Sequence, residues 1–295
     1  MTRNHGRIAM QDTATGLDLY HEGHRTRLKW HRLRLSLDAP LFSAETMALG
    51  FSLGASMELD LRVRGDGGFV VLHDEDLEGE TTGKGPVAEA SAETLRGLHM
   101  RAGGGPLILS EDLARMMTTA HPEARLQFDM KDRLAKIGSR GLDHLAGHFA
   151  GAGPSIIVSA GDIDLMIAIK DRLPGLSRGI DPTNKLRDFL QTYGPAVVET
   201  ELRADIRGPA EPEIVYLAWQ LVLSASRMGL DLIGICHDEG CKVDAWTFNL
   251  QNRLSGFSEP EWRDFSALMA LKPDQITTDE APATERAWLG RSRVC

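Results

Sequence analysis

The sequence predicts an α/β protein of the (β/α)8 TIM-barrel class, with a hairpin and a long loop inserted after the second strand. Three observations carry this. Short apolar segments alternate with longer amphipathic ones, which is the pattern of parallel βα units rather than of a sandwich. Eight such segments occur in 295 residues, a length at which α/β barrels commonly run as one unit. The stretch from Glu75 to Gly105 is instead dominated by glycine and polar residues, as expected of an excursion above a barrel mouth. One domain over residues 1–295 is therefore expected, with the insertion covering approximately 63–109.

The first strand is predicted at Leu28–Arg34 and contains Trp30-His31-Arg32. The second is predicted at Ser56–Arg62, within the run SMELDLRVRGDGGFVVLHD. Side chains alternate along a strand, so Glu58 and Asp60 project to one side while Met57, Leu59 and Leu61 face the other. Residues Arg64 to Gly68 are too few for a parallel crossover, so Phe69-Val70-Val71-Leu72 must return antiparallel. A turn centred on Asp66-Gly67 places His73 opposite Asp60, and a bulge at Gly68 shifts that register by one. The spacing alone suits a solvated strand face as well as a site. Helix resumes near Ser110, whose Ser-Glu-Asp start suits an N-cap.

The remaining strands are predicted at Arg125–Met130, Ser155–Ser159, Leu176–Ile180, Ala196–Leu202, Lys242–Phe248 and Gln275–Thr278. The run EIVYLAWQLVL at 213–223 leaves strand and buried helix both open. Glu199 and Glu201 share a face of the sixth predicted strand and read as a salt-bridged barrel layer. In this class the chemistry sits at the C-terminal ends of the strands, which gives weight to the polar residues there. Asp129 and Lys131 alternate onto one face of the third strand. They suit a third metal carboxylate and a cation for an anionic ligand.

The E-x-D pair, the glycine-containing turn, the apolar strand and His73-Asp74 together resemble the core signature of the glycerophosphodiester phosphodiesterase family. Leu77 and Thr81–Val87 fit its continuation, Asp244–Asn249 its W-T-x-N strand, and Gln275–Asp279 its closing I-x-T-D segment. The likeness spans roughly residues 28 to 285. It implies that His31 and His73 are the catalytic pair, that Arg32 and Lys131 contact the substrate phosphate, and that Trp246 walls the alcohol group. Three positions depart from the pattern. Leu33 replaces the glycine of His-Arg-Gly, Asp129 replaces a glutamate, and Gly79 stands where relatives often have an arginine. Asp129-x-Lys131 also resembles the related sphingomyelinase D-like phospholipases. Asp279 reads as a structural cap.

Glu58, Asp60 and Asp129 offer hard oxygen donors, so the expected cofactor is a divalent cation, Mg²⁺ or Ca²⁺. A net charge of -9 argues against a nucleic-acid partner and for a small-molecule phosphodiester. No apolar run reaches the ~20 residues of a membrane span, so no stable membrane insertion is expected. The N-terminal MTRNHGRIAMQDTATG lacks an apolar stretch, which points to the cytoplasm. Cys236, Cys241 and Cys295 make no disulfide framework, and Cys236, His237 and Cys241 lack a nearby fourth ligand for zinc. Gly79–Lys84 is one residue short of a phosphate-binding P-loop. His99, His121, His144 and His148 are read as solvated. The expected reaction is metal-dependent hydrolysis to sn-glycerol 3-phosphate and an alcohol. A phospholipase D-like enzyme for lysolipid or sugar phosphodiesters, and a barrel that binds such esters without turnover, are the alternatives.

Overall fold

The computed structural model describes residues 14–117 and 120–292. The readings of residues 1–13 and of Cys295 lie outside the described residues. Among the described residues ten strands are formed: β1 Asp18–His21, β2 His24–Trp30, β3 Ser56–Val63, β4 Phe69–Val71, β5 Arg125–Met130, β6 Ile156–Ala160, β7 Ser177–Ile180, β8 Ile214–Ala218, β9 Lys242–Trp246 and β10 Gln275–Thr278. Eight of them run parallel in the order β2-β10-β9-β8-β7-β6-β5-β3, and β2 pairs with β3 to close the barrel. β1 and β4 add antiparallel to β2 and β3. The expected (β/α)8 barrel is thus the observed fold.

Strand alternation separates two environments. Leu28, Trp30, Met57, Leu59, Leu126 and Phe128 pack outward beneath the helices and are fully buried. Each such side chain contributes about 1.5–3 kcal/mol against the entropy of ordering the chain. The interior positions are largely polar: Lys29, Glu58, Gln127, Tyr216, Asp244 and Thr277 fill the barrel. Gly179 makes room for one of them, since a Cβ there would lie 2.3 Å from Tyr216 Cε2.

Several readings need correction. Ala196–Leu202 is part of a helix, Pro195–Ile206, and the missing barrel strand is β8. Pro195 starts that helix, and Val198, Leu202 and Ile206 recur every fourth residue on its buried face. The period-2 look of Val-Glu-Thr-Glu-Leu is incidental to that face. Glu199 and Glu201 therefore lie outside the barrel, where Glu199 pairs with Arg203 and Glu201 with Lys185. The run 213–223 is both alternatives in succession, β8 followed directly by a helix at Trp219–Arg227.

The first strand begins earlier than expected and stops at Trp30. His31–Leu33 forms a tight turn in which Arg32 and Leu33 have φ of +52° and +51°. The hairpin register is also one residue off. Leu61 pairs with Val71 and Arg62 with Val70. The loop holds three residues, Gly65-Asp66-Gly67, closed by an Arg64 N–H bond to the Gly68 carbonyl at 2.9 Å. Gly67, at φ +83°, supplies the left-handed residue such a loop requires. Leu72, not His73, therefore faces Asp60, and its N–H donates to the Asp60 carbonyl at 3.1 Å. Ser110 is the first residue of its helix rather than the cap, and its hydroxyl bonds the backbone of Phe69 instead.

Candidate active site

At the C-terminal ends of the strands, a pocket of about 350 Å³ is lined by His31, Arg32, Glu58, His73, Asp129 and Lys131. Trp246 lies on its wall. A larger cavity, about 590 Å³, opens at the opposite end among Arg25, Arg27, Arg125 and Lys242. That end of a barrel serves stability rather than chemistry.

The acidic side is built by register. Asp60 on β3 stands beside Asp129 on β5, and Glu58 beside Gln127. Oxygens of Glu58, Asp60 and Asp129 come within 4.8 Å of one another. Lys131 Nζ lies 2.8 Å from Asp60 Oδ1 and 2.5 Å from Asp129 Oδ2. Arg32 Nε is 3.2 Å from Asp60 Oδ2, off the line of a hydrogen bond. Burial, then the charges of Asp60 and Asp129, push the Glu58 carboxyl well above its ordinary range. Burial also acts to raise Asp60, but Lys131 and Arg32 outweigh it and hold that carboxyl down. Three carboxylates held this close need positive charge between them. An all-oxygen set with one orphaned oxygen on Asp60 fits a hard divalent cation.

Among the described residues two other groups have ligand spacing. In the first, Glu111 with His144 and His148, both carboxylate oxygens of Glu111 are taken by the Arg64 guanidinium. His144 is not solvated as expected, because its Nε2 bonds Ser110 Oγ at 2.7 Å. In the second, His73 with Asp74 and Glu80, Glu80 Oε2 accepts the N–H groups of His73 and Asp74 at 2.8 and 3.0 Å. Arg62 Nε donates to the His73 carbonyl at 2.9 Å. Those contacts clamp the backbone of His73.

Both histidines are oriented alike. His31 Nδ1 donates to Asp279 Oδ1 at 2.8 Å, and His73 Nδ1 to Asp74 Oδ1 at 3.0 Å. A carboxylate can only accept, so each neutral ring keeps an unprotonated Nε2. His31 Nε2 lies 3.9 Å from Glu58 Oε2, and the Arg32 N–H donates to the same oxygen at 2.8 Å. Asp279 is more than the cap expected of it. Burial works to raise its carboxyl, but His31, Arg34 and Asn249 hold it at about 2.

Sequence reasoning brought Glu58, Asp60, His73, Asp129 and Lys131 to one mouth, and the resemblance added His31, Arg32 and Trp246. It missed Glu80, Asp181 and Tyr216. Glu80 carries no sequence signal beyond its charge. Asp181 and Tyr216 sit at the end and the middle of strands, but misplacing the sixth strand hid the second of them. Asp129 is braced by Ser159 Oγ at 3.1 Å, which Gln127 Nε2 reaches at 2.8 Å.

A (β/α)8 barrel with this mouth of carboxylates, paired histidines and cations defines the phosphodiesterase class. The profile of the glycerophosphoryl diester phosphodiesterase family matches residues 42–282, and the chain belongs to that family. Solved structures agree in fold. A putative glycerophosphoryl diester phosphodiesterase of Silicibacter pomeroyi is 16% identical, with 90% of this chain and 94% of that one covered at a TM-score of 0.66. The glycerophosphodiester phosphodiesterase of Thermotoga maritima is 18% identical, with 89% and 97% covered at 0.60. An Oleispira antarctica phosphodiesterase, in complex with the product sn-glycerol-3-phosphate, is 16% identical, with 88% and 95% covered at 0.61. None of the curated proteins compared with the chain matches it. Among the described residues no helix is long and apolar enough to cross a membrane.

Proposed function

We propose that this phosphodiesterase hydrolyses glycerophosphodiesters to sn-glycerol 3-phosphate and an alcohol, with a divalent cation and with His31 and His73 as the acid and base pair. The observation that carries the reading is the arrangement of one pocket. Two histidines, each with its Nδ1 held by a carboxylate, share it with Glu58 and Asp129, whose oxygens cluster with those of Asp60. The product held by the Oleispira antarctica protein accords with it.

Glu58, Asp60 and Asp129 would hold the ion, which would supply positive charge to offset the negative charge that develops on the phosphate in the transition state. Lys131 and Arg32 add to that field and orient the phosphate. One histidine takes the proton of an attacking water through Nε2 as the new O–P bond forms. The other, entering as the imidazolium with a second proton on Nε2, gives that proton to the departing alkoxide as the P–O bond to the alcohol breaks. Glycerol 3-phosphate retains the phosphorus.

The test is release of glycerol 3-phosphate from a panel of glycerophosphodiesters. Turnover is expected to stop on exhaustive chelation, to return with Mg²⁺ or Ca²⁺, and to be lost in Asp60→Asn. Full turnover after chelation overturns the metal role. The phospholipase D-like alternative rests on Asp129-x-Lys131, and an accumulating cyclic phosphate from a lysolipid is the outcome that supports it.

A further inference from the structure

The cavity of about 590 Å³ at the other end of the barrel from the candidate active site has a chemistry of its own. Interior positions recur every second residue of a strand, so Arg27 lies one layer below Lys29, Arg125 below Gln127, Lys242 below Asp244 and Gln275 below Thr277. Strand pairing sets Gln275 beside Arg27. All four residues of this lowest layer line the cavity, and Ile157 and Ile214 add apolar surface to it.

The cations of this layer lack counterions. Among the described residues no carboxylate forms an ion pair with Arg27, Arg125 or Lys242, although Glu123, Glu213 and Asp274 border the same cavity. Those acids are spent elsewhere. Glu123 pairs with Arg25 at 3.2 Å, Asp274 accepts from His237 Nε2 and the Val243 N–H at 2.9 and 2.8 Å, and Glu213 accepts the Ser177 hydroxyl at 2.9 Å. Arg27 donates to the carbonyls of Glu123 and Gly54, but its Nε is buried without a partner. Burial depresses that guanidinium below its ordinary value, and Arg25 and Arg125 push the same way, against Asp18 and Glu123. It remains charged nonetheless. Gln275 is 6% exposed, its Oε1 is buried without a partner, and its side chain makes no hydrogen bond among the described residues. Open polar groups beside uncompensated positive charge are rare in a finished interior unless a ligand completes them.

We propose that the floor of the barrel is a second ligand site, which takes the phosphate group of a small phosphomonoester, with Arg27, Arg125 and Lys242 supplying the charge and the Gln275 amide a neutral hydrogen bond. Three cations facing one cavity match an anion of more than one charge, and a guanidinium meets phosphate oxygens with paired donors. The cavity is larger than the active-site pocket of about 350 Å³, so an organic body fits beside the phosphate, against Ile157 and Ile214. The Lys29–Asp244 pair, 2.7 Å apart and buried, lies in the layer between the floor and the mouth and keeps the two sites separate. The floor binds and does no chemistry, and it stands whether or not the mouth hydrolyses diesters.

The experiment is calorimetric titration of sn-glycerol 3-phosphate, glucose 6-phosphate and inorganic phosphate into the wild type, Lys242→Gln, Arg125→Gln/Lys242→Gln and, at the mouth, Lys131→Gln. Lys242 makes no side-chain hydrogen bond or ion pair among the described residues, so Lys242→Gln removes charge without disturbing the fold. Unliganded melting temperatures check that each variant is folded. At least one ester should bind the wild type, weaken in Lys242→Gln, and weaken about tenfold or more in the double variant, the scale of lost charge-assisted contacts. Lys131→Gln should leave that event within about twofold. Binding that is lost in Lys131→Gln and kept within about twofold in both floor variants belongs to the mouth and overturns the proposal, as does a wild type that binds neither ester. Inorganic phosphate held as tightly as the esters overturns the assignment to a phosphomonoester.

Discussion

His31 Nδ1 and Asp279 Oδ1 lie 2.8 Å apart, across the seam where the first and last barrel strands pair. The same oxygen accepts from Arg34, and Asn249 bonds the other oxygen at 2.6 Å. Asp279 thereby fixes both the tautomer and the tilt of His31, which makes it a positioning residue.

Asp279→Asn is expected to lower kcat roughly tenfold or more with KM little changed, because loss of an orienting carboxylate mis-sets the imidazole. A second readout separates this from a loss of fold. The Asp279 carboxyl is depressed to about 2, so its stabilisation is present above the ordinary value near 4 and disappears as pH falls toward 2. The wild-type advantage in thermal melts should therefore be at most about 2 kcal/mol at pH 6 and shrink through that window. A pH-independent difference with normal kcat refutes the positioning role.

Much of this site was legible because strand alternation and strand-end position are local properties. Glu58 and Asp60 follow from a period of two, and Asp129 with Lys131 from the same rule one strand later. What escaped depends on long-range packing. The one-residue register shift came from the three-residue loop at Gly65–Gly67, which a two-residue turn mimics in sequence. The helix at Pro195–Ile206 hid behind an alternating stretch because Val198, Leu202 and Ile206 fit both periods in part. Asp279 read as a cap since nothing local reveals that residue 279 meets residue 31.

Leu33 occupies a left-handed backbone conformation at φ +51°, although it is fully buried. That conformation costs a bulky residue about 1–2 kcal/mol. Its side chain recovers more, since removing a buried leucine typically costs about 2–5 kcal/mol. Leu33→Gly is accordingly expected to destabilise the protein by about 1–3 kcal/mol in denaturant melts. A gain in stability instead means the strain outweighs the packing.

If His31 and His73 work as acid and base, His31→Ala and His73→Ala should each cut the rate roughly 100-fold or more. Leaving-group dependence assigns them. Loss of the acid should hurt choline esters far more than activated nitrophenyl esters, which need little protonation to depart. Equal, small losses on every ester end the assignment.

Asp181 offers a test that needs no substrate. Burial raises its carboxyl to about 6, above the ordinary value near 4, with the Thr183 contacts opposing the shift only in part. A raised carboxyl favours folding while protonated, so this residue costs nothing below pH 4, and its cost grows as pH rises to about 6 and stays constant beyond. Over that window the penalty is on the order of 1–3 kcal/mol. Asp181→Asn removes the charge and keeps the oxygen that accepts the Thr183 N–H. The variant should therefore melt about 2 °C or more above the wild type at pH 8, with the gap closing by pH 4. A carboxylate retained at such a cost is typical of a residue kept for binding rather than stability. A variant less stable than the wild type at pH 8 would show that the carboxylate already has its compensation within the fold, and the uncompensated charge would no longer stand.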